Sequence, residues 1–344
     1  MPAPVRELVP GVRALTIGNA ELEVTLLVDK GADIYSIVHR RSGVDVLFKS
    51  PWGLRAAGPW GRAVTSMERW LECYGGGWQV LLPNGGDECT EGGATWGFHG
   101  EAALVPWKLL DYGPSAAMLE AELFFVPLHL SREIWLEGPV LRLREVVANT
   151  SPHPVEFMWS HHPAFGAPFL DRSCVLRAGC RTVVADDRGP GTLLEAGTRH
   201  NWPRVSPVSG ATVDLTEVPG PDQPREIFAY LLDFDAGYFA ITNPTLRLGF
   251  GLRWPLEVFD KAWLWQQVHA GPGWPWFGRA YVVAVEPAST VPGQGMANAR
   301  TKGASGVRLD GLASREVVLE AVLFESASPV SGIAEGGVVS FEVP

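Results

Sequence analysis

Residues 117–138 read AMLEAELFFVPLHLSREIWLEG. Leu119, Ala121 and Leu123 alternate with Glu120 and Glu122; after a Phe-Phe-Val-Pro break, Leu128, Leu130, Ile134 and Leu136 alternate with polar or bulky neighbours. Successive side chains on a strand point to opposite faces, so a two-residue apolar period predicts a pair of half-buried strands. The same pattern recurs in ELEVTLLVDKGADIYSIVHR (21–40), VLRLREVVANTS (140–151), EIFAYLLDFDAGYFAITNP (226–244), RLGFGLRWP (247–255), RAYVVAVEP (279–287) and REVVLEAVLFES (315–326). Gly, Pro, Asn and Asp punctuate these runs, and no helical period longer than about ten residues competes with them. Many short strands without alternating helices predict an all-β fold, a large antiparallel β-sandwich. Residues 186–225 are rich in Pro, Gly and Asp and read as a long surface excursion, while the stretch after Ser326 reads as a loosely held terminal strand or tail. There is no internal repeat. A chain of 344 residues is within reach of one large β-sandwich, so a single domain over 1–344 is expected.

With 46% hydrophobic and 19% charged residues the chain has material for a substantial core. The net charge of −10 arises from scattered acidic residues, and without a basic stripe to neutralise phosphates a nucleic-acid partner is not expected. The start, MPAPVRELVPGVRALTIGN, lacks the basic and apolar regions of a signal peptide, and no eighteen apolar residues run together. These features predict a cytoplasmic protein without a membrane partner, as monomer or homodimer. Cys73, Cys89, Cys174 and Cys180 have no CxxC spacing and read as free, mostly buried thiols. Fourteen tryptophans are the compositional excess, suited to cores and to stacking on sugars alike.

Three segments place reactive side chains among glycine, proline and aromatic residues. GGGWQVLLPNGGDECTEGGATWGFHGEA (75–102) gathers Asn84, Asp87, Glu88 and His99 among glycines that permit tight turns and close backbone approach. It has neither the Gly-x4-Gly-Lys spacing nor the strand-then-helix setting of a phosphate loop. His99 by itself reads more readily as a partly buried histidine hydrogen-bonded to a neighbour, and context must raise it. VVANTSPHPVEFMWSHHPAFGAP (146–168) carries His161 and His162, and strand alternation allows only one of them to face a given pocket, which argues against a His-His metal clamp. VVAVEPAS brings Glu286 to a strand end before Pro287, on the face opposite Val283 and Val285; pairing with Arg279 is the plain alternative.

Asn149-Thr150-Ser151, Pro154 and then His162-Pro163-Ala164-Phe165, preceded by Phe98-His99-Gly100 and followed by Glu286-Pro287, resemble the motifs of the aldose 1-epimerase family in order and spacing. The resemblance spans about residues 20–325 and implies a galactose mutarotase-like supersandwich. It also implies a catalytic set of Glu286 as base at the sugar C1 hydroxyl, His162 as acid at the ring oxygen, and His99 orienting that oxygen. The chain departs from the family at Pro83-Asn84-Gly85-Gly86-Asp87, which lacks the arginine that commonly follows the asparagine; the choice of sugar is affected more than the chemistry.

Anomer exchange needs one proton removed from the C1 hydroxyl and one delivered to the ring oxygen, work for an imidazole and a desolvated carboxylate without cofactor or metal. The partner expected is a small-molecule sugar. Within LRWPLEVFDKAWLWQQVHAGPGWPWFGRAY (252–281), Trp265 and Gln266 are candidate sugar contacts, as are Asn84 and Asp87 in the glycine-rich loop. A non-catalytic sugar-binding module would have no use for a poised Glu and His pair. A polysaccharide lyase or a phosphosugar epimerase is a further rival, and the latter calls for clustered Arg or Lys, in which the motif segments are poor.

Overall fold

The computed structural model describes residues 5–56, 63–188 and 193–342. The expected domain over 1–344 and the excursion over 186–225 therefore extend into residues 1–4, 57–62, 189–192 and 343–344, which lie outside the described residues.

Among the described residues nearly all regular structure is β, in two large antiparallel sheets and four small two-stranded ones. The larger sheet has twelve strands. Its central order is Asp33–His39, Trp78–Leu81, Ser160–Gly166, Tyr281–Ala288, Lys261–Val268 and Arg225–Leu232. The smaller has eight strands and includes the alternating stretch 117–138, as Ala116–Glu122 paired with Leu128–Glu137. Its neighbour Val140–Asn149 continues the sheet into Ser314–Phe324. In Leu128–Glu137 buried and half-buried positions alternate strictly up to the last residue, as the period-two pattern requires.

The sheets meet face to face through aromatic and aliphatic side chains. Phe165 of the large sheet packs on Phe239 and Phe250 of the small one, with ring centroids 5.7 and 4.7 Å apart. One polar tie crosses this interface: Arg132 pairs with Glu145 and donates to the Ala32 carbonyl, and Glu145 lies 3.3 Å from His161. Trp78 Nε1–H donates to His161 Nδ1 at 3.2 Å. The arginine and histidine charges overcome burial and hold the Glu145 carboxyl down to about 2.

The central strands of the large sheet are buried on both faces: every residue of Ser160–Gly166, and all but the first of Tyr281–Ala288. One face is covered by the second sheet. The other is roofed by the loop 84–100, the helix Ser66–Cys73 and the turn around 269–279, and that roof makes a chamber.

The end of the chain departs from the expectation of a loose tail. Val330–Ala334 and Val338–Phe341 form a hairpin that buries Val330 and Ile333 against Val140, Ala240 and Val322. All four cysteines are free, with Cys174 and Cys180 buried. Among the described residues no helix is long and apolar enough to cross a membrane.

Candidate active site

Strand alternation sorts the two adjacent histidines. His161 turns toward the second sheet and its Glu145, whereas His162 turns toward the roofed chamber. On that face a row of side chains crosses the strands. His162 lies opposite Gln79 on one side, and between the pairs Ser160–Ala288 and Ala164–Ala284 it falls opposite Glu286 on the other. Glu286 in turn lies opposite Trp263. Side chains directly opposed on neighbouring strands are in contact range, so the register itself delivers the carboxylate to the imidazole. His162 Nε2 stands 3.7 Å from Glu286 Oε1.

The chamber is a cavity of about 320 Å³ lined by Trp70, Tyr74, His99, His162, Trp263, Trp265, Trp276 and Glu286, among others. That is the lower end of the size of small-molecule sites, and its mixture of aromatic walls with a few polar groups is typical of them. Trp70 lies 4.6 Å from His99 and 5.8 Å from His162, ring centre to ring centre, and Trp265 lies 5.7 Å from His162. Four buried polar atoms on the cavity's described residues have no protein partner: Trp70 Nε1, Tyr74 Oη, His162 Nδ1 and Glu286 Oε2. Leaving such groups unmatched costs free energy unless something polar meets them.

Burial governs the protonation of the pair. Glu286, 2% exposed and without a lysine or arginine in ion-pair range, has its carboxyl pushed well above the usual range. Burial pushes the His162 imidazole the other way, down to about 4, with Lys30 adding to the effect. Lys30 itself is buried beside the same row, paired with Asp33, which also accepts from Gln79. Burial thus disfavours the charged form of both groups, raising the proton affinity of the carboxyl and lowering that of the imidazole.

His99 enters from the roof. It adopts a left-handed backbone conformation, φ 58°, and its Nδ1 accepts from the Gly86 N–H at 3.1 Å while its own N–H donates to the Gly86 carbonyl. With Nδ1 occupied as an acceptor, the ring proton is on Nε2, which leaves that atom as a donor. Burial and the neighbouring His162 hold the imidazole well below its ordinary value, hence neutral. Gly86 must be glycine: its φ is +74° and a Cβ would collide with the Gly293 carbonyl.

The other expected contacts divide. Trp265 and Asp87 line the cavity. Gln266 does not: it is the neighbour of Trp265 on one strand, points to the opposite face, and its amide makes no hydrogen bond. Asn84 is fully buried as scaffold, donating to the Asp87 and Gly97 carbonyls and accepting from the Met296 N–H.

Two contributions escaped the sequence reading. The helix Ser66–Cys73 supplies Trp70, followed by Tyr74 at its C-terminal cap. Its start is marked by a capping box, in which Thr65 Oγ1 accepts from the Glu68 N–H at 3.1 Å and Glu68 Oε2 accepts from the Thr65 N–H at 3.1 Å. Arg188, from the long excursion, reaches the cavity wall and pairs with Asp87. An arginine thus stands at the site although none follows Asn84. The turn bearing Arg188 is anchored by Asp186, which accepts from Gln294 and from the Tyr230 hydroxyl.

A family model described as a domain of unknown function, DUF4432, matches residues 9–321. Comparison with curated proteins finds no match. Among solved structures, a galactose mutarotase-like protein from Lactobacillus casei ATCC 334 is 17% identical with a TM-score of 0.65, over 90% of this chain and 100% of that one. A protein from Escherichia coli K12 provisionally named an aldose 1-epimerase is 15% identical with a TM-score of 0.65, over 92% and 100%. A galactose mutarotase related enzyme from Lactobacillus acidophilus is 14% identical with a TM-score of 0.63, over 91% and 98%. At such identities the likeness is one of fold, and the fold is galactose mutarotase-like.

Proposed function

The chain belongs to the DUF4432 family, and from that premise and the site's chemistry we propose that it interconverts the α and β anomers of an aldose by general acid–base ring opening. One observation carries the reading: a buried His162–Glu286 pair, 3.7 Å apart on the cavity wall, whose proton affinities burial shifts in opposite directions.

As the sugar enters, its hydroxyls solvate the carboxylate, and the resting proton of Glu286 crosses to His162 Nε2. Glu286 then removes the proton from the C1 hydroxyl while His162 protonates the ring oxygen. The bond between C1 and the ring oxygen breaks to give an open-chain aldehyde, the C1–C2 bond rotates, and closure on the other face returns both protons to where they began. His99 Nε2–H donates to the ring oxygen throughout. Trp70, Trp263 and Trp265 offer flat apolar surface to the faces of the ring, and Arg188 with Asp87 meets the remaining hydroxyls. Neither a cofactor nor a metal ion is needed in this scheme.

The test is anomer exchange measured by polarimetry or NMR for a panel of free aldoses, with wild type beside Glu286→Gln. Acceleration by wild type with a loss of about a hundredfold to ten-thousandfold in the variant is expected. Sugar binding with no acceleration would instead mark a binding module.

A further inference from the structure

A second cavity, of about 500 Å³, opens beside the first and shares Leu71, Trp274 and Pro275 with it. Aromatic rings run from one to the other without a break: Trp265 lies 5.4 Å from Trp276, and Trp276 stacks on Trp52 at 5.1 Å with an interplanar angle of 20°. At the outer end two large rings face solvent, Trp274 at 53% exposure and Phe277 at 54%. They are held there by a turn closed on itself, with Phe277 N–H donating to the Gly273 carbonyl, Gly278 N–H to Gly271 and Arg279 N–H to Trp276. Phe277 is left-handed at φ 51°, an unfavourable conformation for a bulky residue, and here it secures no burial. Strain that serves exposure rather than packing points to a ligand surface. Among the described residues the charges on this cavity's wall balance, Arg55 and Arg279 against Glu68 and Glu72, which suits a neutral polyhydroxylated partner better than an anionic one.

We propose that this outer cavity is a subsite for a second sugar ring, so that the substrate is a reducing disaccharide or longer oligosaccharide. The inference rests on the anomer-exchange reading: C1 of the inner ring must remain free beside Glu286, so the second ring hangs from another hydroxyl and leaves along Trp274 to rest on Phe277.

The experiment compares affinity and anomer-exchange rate for the free aldose turned over fastest and for reducing disaccharides ending in that aldose (maltose, cellobiose and lactose where it is glucose). It uses the full-length protein, Phe277→Ala, Phe277→Tyr and Arg279→Ala. At least one disaccharide is expected to bind about two- to tenfold more tightly than its monosaccharide. Phe277→Ala is expected to erase that ratio and Phe277→Tyr to keep it. Monosaccharide turnover with no disaccharide advantage would overturn the subsite and leave the anomer-exchange reading standing. Absence of binding by every sugar would overturn both.

Discussion

Replacing Glu286 by Gln tests the site through stability as well as through rate. Glu286 is 2% exposed, and burial is the sole cause that raises its carboxyl above 4.5, the ordinary value kept by the unfolded chain. From pH 4.5 up to the raised folded value, the folded protein holds a proton that the unfolded chain has released, so folding loses about 1.4 kcal/mol per pH unit. His162 works in the opposite sense. Its folded value of about 4 lies below the ordinary 6.5, so the unfolded chain binds the extra proton between those limits and stability rises with pH there. In wild type the two slopes offset each other above pH 4.5 wherever both windows overlap. The amide that Glu286→Gln introduces has no proton to lose. The stability of Glu286→Gln relative to wild type should therefore climb by about 1.4 kcal/mol for each pH unit from 4.5 up to the raised folded value of Glu286 and level off beyond it, from an offset set by how the amide packs. Urea midpoints followed by tryptophan fluorescence at half-unit pH steps read this directly. Because one apolar core joins both sheets, we propose that the chain is one domain and expect a single transition. A stability difference independent of pH would refute the reasoning, since it would mean that Glu286 ionises as freely in the folded protein as in the unfolded chain.

The rate should titrate with the same pair. kcat/KM is expected to fall below pH about 4, where His162 takes up a second proton, and again where Glu286 loses its own; an acid limb near 6.5 in a stopped-flow pH profile would contradict the assignment. His99→Asn removes the Nε2–H donor and should lower kcat by about a hundredfold at neutral pH, where burial keeps His99 uncharged. Glu145→Ala leaves Arg132 and His161 buried without their carboxylate and should cost about 3–5 kcal/mol in a denaturant titration at pH 7. In wild type that contribution should be present above pH 4.5 and fade as pH falls toward about 2.

Much of this was legible in the sequence because strands write their faces into it. The stretch 117–138 holds its two strands almost to the residue, and period two alone separates His161 from His162. The same rule separates Trp265 from Gln266, so the neighbour of a cavity tryptophan on one strand faces the other way. Asn84 is different, since nothing local tells whether a carboxamide will serve a ligand or the backbone, and here three backbone groups occupy it. The helix Ser66–Cys73 announces itself only by the Thr65–Glu68 box, too short a signal to show that Trp70 would roof a cavity. Arg188 was beyond reach altogether: it lies 101 residues from Asp87, and their pairing is a product of the closed fold.

What makes the site chemical is the cross-strand register, more than any single motif. Lys30, Asp33, Gln79, His162, Glu286 and Trp263 belong to one buried polar band across the face of the large sheet, and the band has an order. At one end Lys30 and Asp33 answer each other's charge, so they sit buried as a closed pair. At the other, Glu286 has no cation, and the imidazole beside it is too depleted in basicity to act as one. A one-residue slip of Tyr281–Ala288 would turn Glu286 toward the second sheet and bring Val285 or Pro287 to His162. The free energy given up by burying an unpaired carboxyl is tolerable only because the register of a twelve-stranded sheet enforces it, and that same burial raises its proton affinity.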